Sequence, residues 1–152
     1  MGILKKNIAE KTVTRSAEET FQLGQRLASQ MQKGMLVALS GDLGAGKTIM
    51  AKGIGSGTGV PEEEIRSPTY TLMIKHTKGI FPVFHWDFYR IAEIDELMTA
   101  DFFELRAREE SLFIIEWANL FPEVWVDFFP RFEIDIKQKD DNTRDIKTIL
   151  KG

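Results

Sequence analysis

The chain has 152 residues, a net charge of −3, 43% hydrophobic residues and no cysteine. That length suits one domain with its own core, and the missing thiols exclude disulfides and cysteine-held zinc, haem or iron–sulfur groups. The mildly acidic balance argues against direct nucleic-acid binding as the main task while leaving room for a local basic patch, and no run reaches the roughly 18 apolar residues of a membrane helix, so a soluble cytoplasmic protein with no membrane association is expected.

In chain order, residues 7–14 alternate enough to predict an edge strand. Ser16 with Glu19 forms a capping-box pattern, and Thr20, Leu23, Leu27 and Met31 follow at helical spacing, with Gly34 as the expected stop. The run MLVALS (35–40) reads as a strand buried on both faces. GDLGAGKT follows, then the helical IMAKGI, then the glycine-rich connection GSGTGVPEEE. TYTLMIKH and IFPVFHW predict a hairpin turning at 77–79. Residues 93–109 have helical spacing, SLFIIEW is a second buried strand, and the tail alternates as two strands around Asp140-Asp141-Asn142. The sum is a three-layer α/β domain with a mixed central sheet and a C-terminal β-hairpin.

Residues 41–48 complete the pattern G-x-x-x-x-G-K-[ST] between a buried strand and a helix. Its glycines let successive N–H groups turn inward as an anion nest, and the helix N-terminus adds partial positive charge. Lys47 is expected to reach the outer phosphates of a nucleotide and the Thr48 hydroxyl to ligate magnesium. Asp42, a carboxylate among phosphates, is expected to turn away. Two strand-end acids can complete the site: Glu116 after four apolar residues, favoured for the metal, and Asp87, for a metal-bound or attacking water. His76 and His85 are read as hydrogen-bonded structural groups. Arg90, Arg106 and Arg108 are candidates for neutralising transition-state charge, with ion pairing expected of the last two. No Asn-Lys-x-Asp stretch is present to read guanine, so ATP is the expected ligand.

GDLGAGKT, SPTYTLM (67–73), HWDFYR (85–90) and IIEWA (114–118), in that order, resemble the TsaE (YjeE) family, small P-loop ATPases of bacterial tRNA threonylcarbamoyladenosine synthesis. The resemblance spans nearly the whole chain and implies a single P-loop ATPase domain over 1–152. It implies phosphate binding by residues 42–48 (Asp42, Leu43, Gly44, Ala45, Gly46, Lys47, Thr48), with magnesium on Thr48 and Glu116. It implies catalytic roles for Lys47, Asp87 and Thr69, the last on a switch-like loop. Ala17 and Thr20 would lie by the adenine, and Arg144 is a candidate match for a family nucleotide contact. The family often has a glycine around Thr99-Ala100, absent here, which leaves the local helix geometry open. The implied role is a magnesium-dependent regulatory ATPase, weak alone, coupled to the partner proteins TsaB and TsaD and through them to tRNA. Its rivals are a small-molecule P-loop kinase and a nucleotide-gated binding module that needs no hydrolysis.

Overall fold

The computed structural model describes residues 8–152. Seven strands form one sheet: β1 (Ile8–Thr14), β2 (Leu36–Gly41), β3 (Met73–His76), β4 (Val83–Asp87), β5 (Leu112–Glu116), β6 (Arg131–Gln138) and β7 (Arg144–Lys151), in the order β1-β7-β6-β2-β5-β4-β3. Strand β2 runs parallel to β5 and β6, and β4 runs parallel to β5. The outer pairs β1–β7, β6–β7 and β3–β4 are antiparallel, so β1 is the edge strand expected, Asn7 of that expectation lying outside the described residues, and β6–β7 is the C-terminal hairpin.

Helices α1 (Ala17–Ala28) and α2 (Lys47–Gly57) cover one face; α3 (Asp95–Thr99), α4 (Phe102–Ala107) and short 3-10 turns cover part of the other. The central strand shows why. Val37 and Leu39 pack under α1 and α2, while Leu36 and Ala38 pack with Trp86, Leu97 and Phe102 on the opposite side. A strand buried on both faces needs apolar residues at every position, which MLVALS supplies.

Ser16 caps α1 by accepting from the Glu19 N–H at 3.0 Å. The Glu19 carboxylate reaches back to the Arg15 N–H rather than to that of Ser16, one residue beyond the partner of the reciprocal box. The helix stops at Ala28, six residues before Gly34. Gly34, at φ +86°, instead turns the chain into β2 and donates its N–H to the Ser111 carbonyl, while Met31 is buried beyond the helix end.

Three further expectations change. Gly55, Ser56 and Gly57 belong to α2 and not to the following connection: Gly57 lies against the Gln25 backbone of α1, and Gly55 leaves room for Ile65. A Cβ on Gly24 would lie 2.8 Å from the Met50 carbonyl oxygen, and one on Gly53 would collide with that of Phe21. The segment 93–109 breaks into α3 and α4 at Asp101, which adopts φ +60°, a left-handed conformation that aspartate tolerates better than most residues. The hairpin turn spans 77–82, and Ile80 N–H donates to the Thr58 carbonyl, tying it to the end of α2.

The contact between α1 and α2 sets a test. Alanine at Gly53 gains up to about 1 kcal/mol of helix propensity but overpacks the crossing, which costs about 1–3 kcal/mol or more. Gly53→Ala is expected to lower the urea midpoint without changing the slope; a raised midpoint would show that the close approach is not needed.

Candidate functional site

The C-terminal ends of β2, β5 and β4 lie side by side, which brings Gly41, Glu116 and Asp87 to one edge of the sheet. The loop leaving β2 wraps into the first turn of α2, with Gly44 at φ +77° and Gly46 at φ +112°. At Gly46 a side chain is doubly excluded: the backbone is left-handed, and a Cβ would sit 2.9 Å from Arg144 Nε. That Nε donates to the Ala45 carbonyl at 2.8 Å, so the start of β7 braces the loop from behind. Asp42 and Leu43 are exposed on the rim, Leu43 to 75%.

Lys47 is folded onto its own loop. Its ammonium donates to the Gly41 and Asp42 carbonyls at 2.8 and 2.7 Å and lies 3.8 Å from the ring centre of Trp117. Trp117 reaches over it from a left-handed backbone, φ +58°, directly after β5. Burial pushes the Lys47 ammonium below the ordinary lysine value, and the negative charges of Glu116, Asp87 and Asp42 only partly oppose that.

Both acids are held at the crevice. The Thr48 hydroxyl donates to Glu116 Oε1 at 2.7 Å, across 68 residues of sequence. Asp87 accepts from the Thr69 hydroxyl at 2.7 Å and from the Tyr89 N–H at 2.8 Å, and Ser67 bonds Thr69 at 2.8 Å. A crevice of about 330 Å³ opens among Leu43, Gly44, Gly46, Lys47, Thr48, Thr69, Asp87, Glu116 and Trp117. A larger hollow, about 620 Å³, lies over β1, β7 and β6 beside Asp42; it too carries acids, hydroxyls and lysines, but neither strand-end acid, Asp87 or Glu116, lines it, nor does Lys47 or Thr48.

The expected site residues therefore divide. Residues 43, 44 and 46–48, with Thr69, Asp87 and Glu116, line one crevice. Ala17 is exposed at the start of α1, but Thr20 is fully buried, its hydroxyl spent on Thr14 and the Ser16 carbonyl. Thr14 pairs with Arg144 in the sheet, which brings the start of α1 to the same side of the loop as the Arg144 brace. Arg90 stacks on Tyr70 at 4.3 Å; Arg106 is tied to the Val124 carbonyl and Asp127, and Arg108 to Glu104, so the last two are ion-paired as expected. Among the described residues no group of three or more acidic or histidine side chains is arranged to hold a metal by itself.

Sequence reasoning gave Trp117 no role, although its place next to Glu116 was a usable signal. It also separated His85 from the site. His85 is two residues before Asp87 on an alternating strand, hence on the same face, and its Nε2 meets Glu116 Oε2 at 2.5 Å.

Comparison with known proteins fits this geometry. The sequence model of the family described as "Threonylcarbamoyl adenosine biosynthesis protein TsaE" matches residues 14–146. The chain belongs to the TsaE family. It is 33% identical to the tRNA threonylcarbamoyladenosine biosynthesis protein TsaE of Bacillus subtilis over 134 residues, covering 88% of this chain and 80% of that one. It is 37% identical to the Treponema pallidum protein of the same name over 111 residues, covering 70% and 77%. A crystal structure of Bacillus subtilis YdiB superposes with a TM-score of 0.74 at 29% identity, covering 98% of this chain and 90% of that one. Among the described residues no helix is long and apolar enough to cross a membrane.

The depressed Lys47 value has a measurable consequence. The native state sheds this proton at lower pH than the unfolded chain, so its penalty on stability is full at neutral pH. It is relieved as pH climbs through the native value toward 10.5. The stability of Lys47→Met relative to wild type should therefore fall as pH rises over that window in urea melts. A difference that is flat or grows with pH would contradict a desolvated lysine.

Proposed function

We propose that the chain is a magnesium-dependent ATPase subunit that supports threonylcarbamoyl modification of tRNA adenosine through a partner pair, TsaB and TsaD. The observation that carries this reading is the Thr48–Glu116 contact at the mouth of a complete phosphate loop. A hydroxyl on the first turn of the helix and a strand-end carboxylate are hard oxygen donors, the set that magnesium takes beside nucleotide phosphates. The family membership and the names of the relatives support the pathway. The lack of a guanine-reading stretch favours ATP.

In this reading the backbone N–H groups of the loop from Gly44 to Thr48, other than that of Ala45, which donates to the Asp42 carbonyl, would cradle the phosphates, and Thr48 and Glu116 would hold the metal. Bound there, magnesium supplies charge neutralisation for the β- and γ-phosphate oxygens. Lys47 exchanges its two carbonyl acceptors for phosphate oxygens, which offer a full negative charge in place of a dipole. Asp87, oriented by Thr69 and the Tyr89 N–H, accepts a hydrogen bond from the attacking water. Because Thr69 lies three residues from exposed Arg66, on a segment that also carries exposed Ser67 and Tyr70, loss of the terminal phosphate changes a surface that partners can read. A tenfold change in partner affinity needs only about 1.4 kcal/mol of differential binding.

The resting Lys47 geometry supports slow hydrolysis by the chain alone, since its charge starts out shielded by Trp117 and two carbonyls. ATP turnover is expected to be weak in isolation and to rise with TsaB and TsaD. Lys47→Ala should lower both rates by about 100-fold or more, the scale of losing one preorganised charge at the transition state. Phosphate release assays decide: unchanged hydrolysis in Lys47→Ala would place the chemistry elsewhere, and full turnover without partners would contradict the regulatory role.

A further inference from the structure

His85 is 1% exposed and stands on a strand face that is otherwise apolar until Asp87. An aliphatic side chain would fill that place at no polar cost, whereas a buried imidazole destabilises the fold unless it is hydrogen-bonded. Its recorded partner is Glu116 Oε2. An ionised carboxylate only accepts, so Nε2 carries the proton and donates. Glu116 is itself 2% exposed, and its other oxygen, Oε1, takes the Thr48 hydroxyl. The carboxylate is thereby pinned at both oxygens: from inside the sheet by β4, and at the crevice by α2.

We propose that His85 is a positioning residue that fixes the rotation of the Glu116 carboxylate so that Oε1, with Thr48, is presented to a divalent cation. A glutamate has three rotatable bonds, and fixing Oε2 removes most of the freedom that cation binding would otherwise have to freeze. Groups that hydrogen-bond a ligating side chain in this way typically change metal affinity by 10- to 100-fold when removed. The inference rests on the magnesium reading above and adds to it a residue outside the crevice lining. His85 touches neither phosphate nor cation in this arrangement, so its effect is confined to the metal.

The test uses the full-length chain and Mn2+ as the paramagnetic probe, titrated by EPR in the presence of a non-hydrolysable ATP analogue. His85→Leu should weaken Mn2+ binding about tenfold or more, while affinity for the analogue in EDTA stays within about twofold of wild type. His85→Gln, whose amide N–H can donate to Glu116, should recover most of the loss. Wild-type Mn2+ affinity in His85→Leu would overturn the proposal and leave the metal site standing; an equal loss of metal-free analogue binding would reduce His85 to a packing residue. Wild-type protein that takes up no Mn2+ with the analogue would overturn the magnesium reading and the His85 proposal together. Should His85→Leu fail to fold, NMR of the wild type decides. The Nε2 proton is expected as a slowly exchanging, strongly downfield imidazole signal that is lost in Glu116→Gln, and its absence or its persistence in that variant would overturn the proposal.

Discussion

The hydrogen bond from Thr48 to Glu116 joins side chains 68 residues apart in the sequence. Thr48 stands in the first turn of α2 and Glu116 ends β5; the parallel pairing of β2 with β5 and the packing of Met50 and Ile54 with Leu112 and Ile114 bring those ends together. Three features of the fold serve that meeting. Strand β2 is apolar on both faces, so it can lie in the middle of the sheet beneath the loop. The glycines of α1 and α2 let the two helices close on each other, which fixes the height of α2 over the sheet. Arg144 ties the Ala45 carbonyl to β7, so the loop is held from its far side as well.

Around this contact the site is arranged as two neighbouring pairs. Glu116 and Thr48 offer hard oxygen donors, and Asp87 and Thr69 form a second carboxylate–hydroxyl unit one strand away. Lys47 lies close to both acids yet hydrogen-bonds to neither, spending its donors on loop carbonyls and its remaining face on Trp117. A buried ammonium satisfied by dipoles is electrostatically underpaid, and phosphate oxygens would satisfy it better.

Much of this was legible in the residues. The phosphate loop, the buried strands and the strand-end acids follow local rules: two-residue alternation, continuous apolar runs and fixed glycine spacing. What was not legible depends on distant partners. That Gly55 and Gly57 continue a helix depends on what packs against them, Ile65 on Gly55 and the end of α1 on Gly57, since glycine alone argues for a loop. That the helical pattern of 93–109 breaks at Asp101 depends on a single left-handed residue, where the resemblance pointed to a missing glycine one or two positions earlier. His85 was visible as a histidine among apolar neighbours, but its partner lies on a strand 31 residues away, and side-chain pairing across parallel strands leaves no local pattern.

The central claim is that Thr48 and Glu116 act as one metal-holding unit. A double-mutant cycle tests it most directly: ATP affinity measured with and without magnesium for wild type, Thr48→Ala, Glu116→Gln and the double variant. If the two side chains share an ion, the double variant loses little more magnesium-dependent affinity than the worse single variant, and metal-free ATP affinity barely moves. Losses that simply add, or that appear equally without magnesium, would contradict a shared cation and leave the 2.7 Å contact as packing alone.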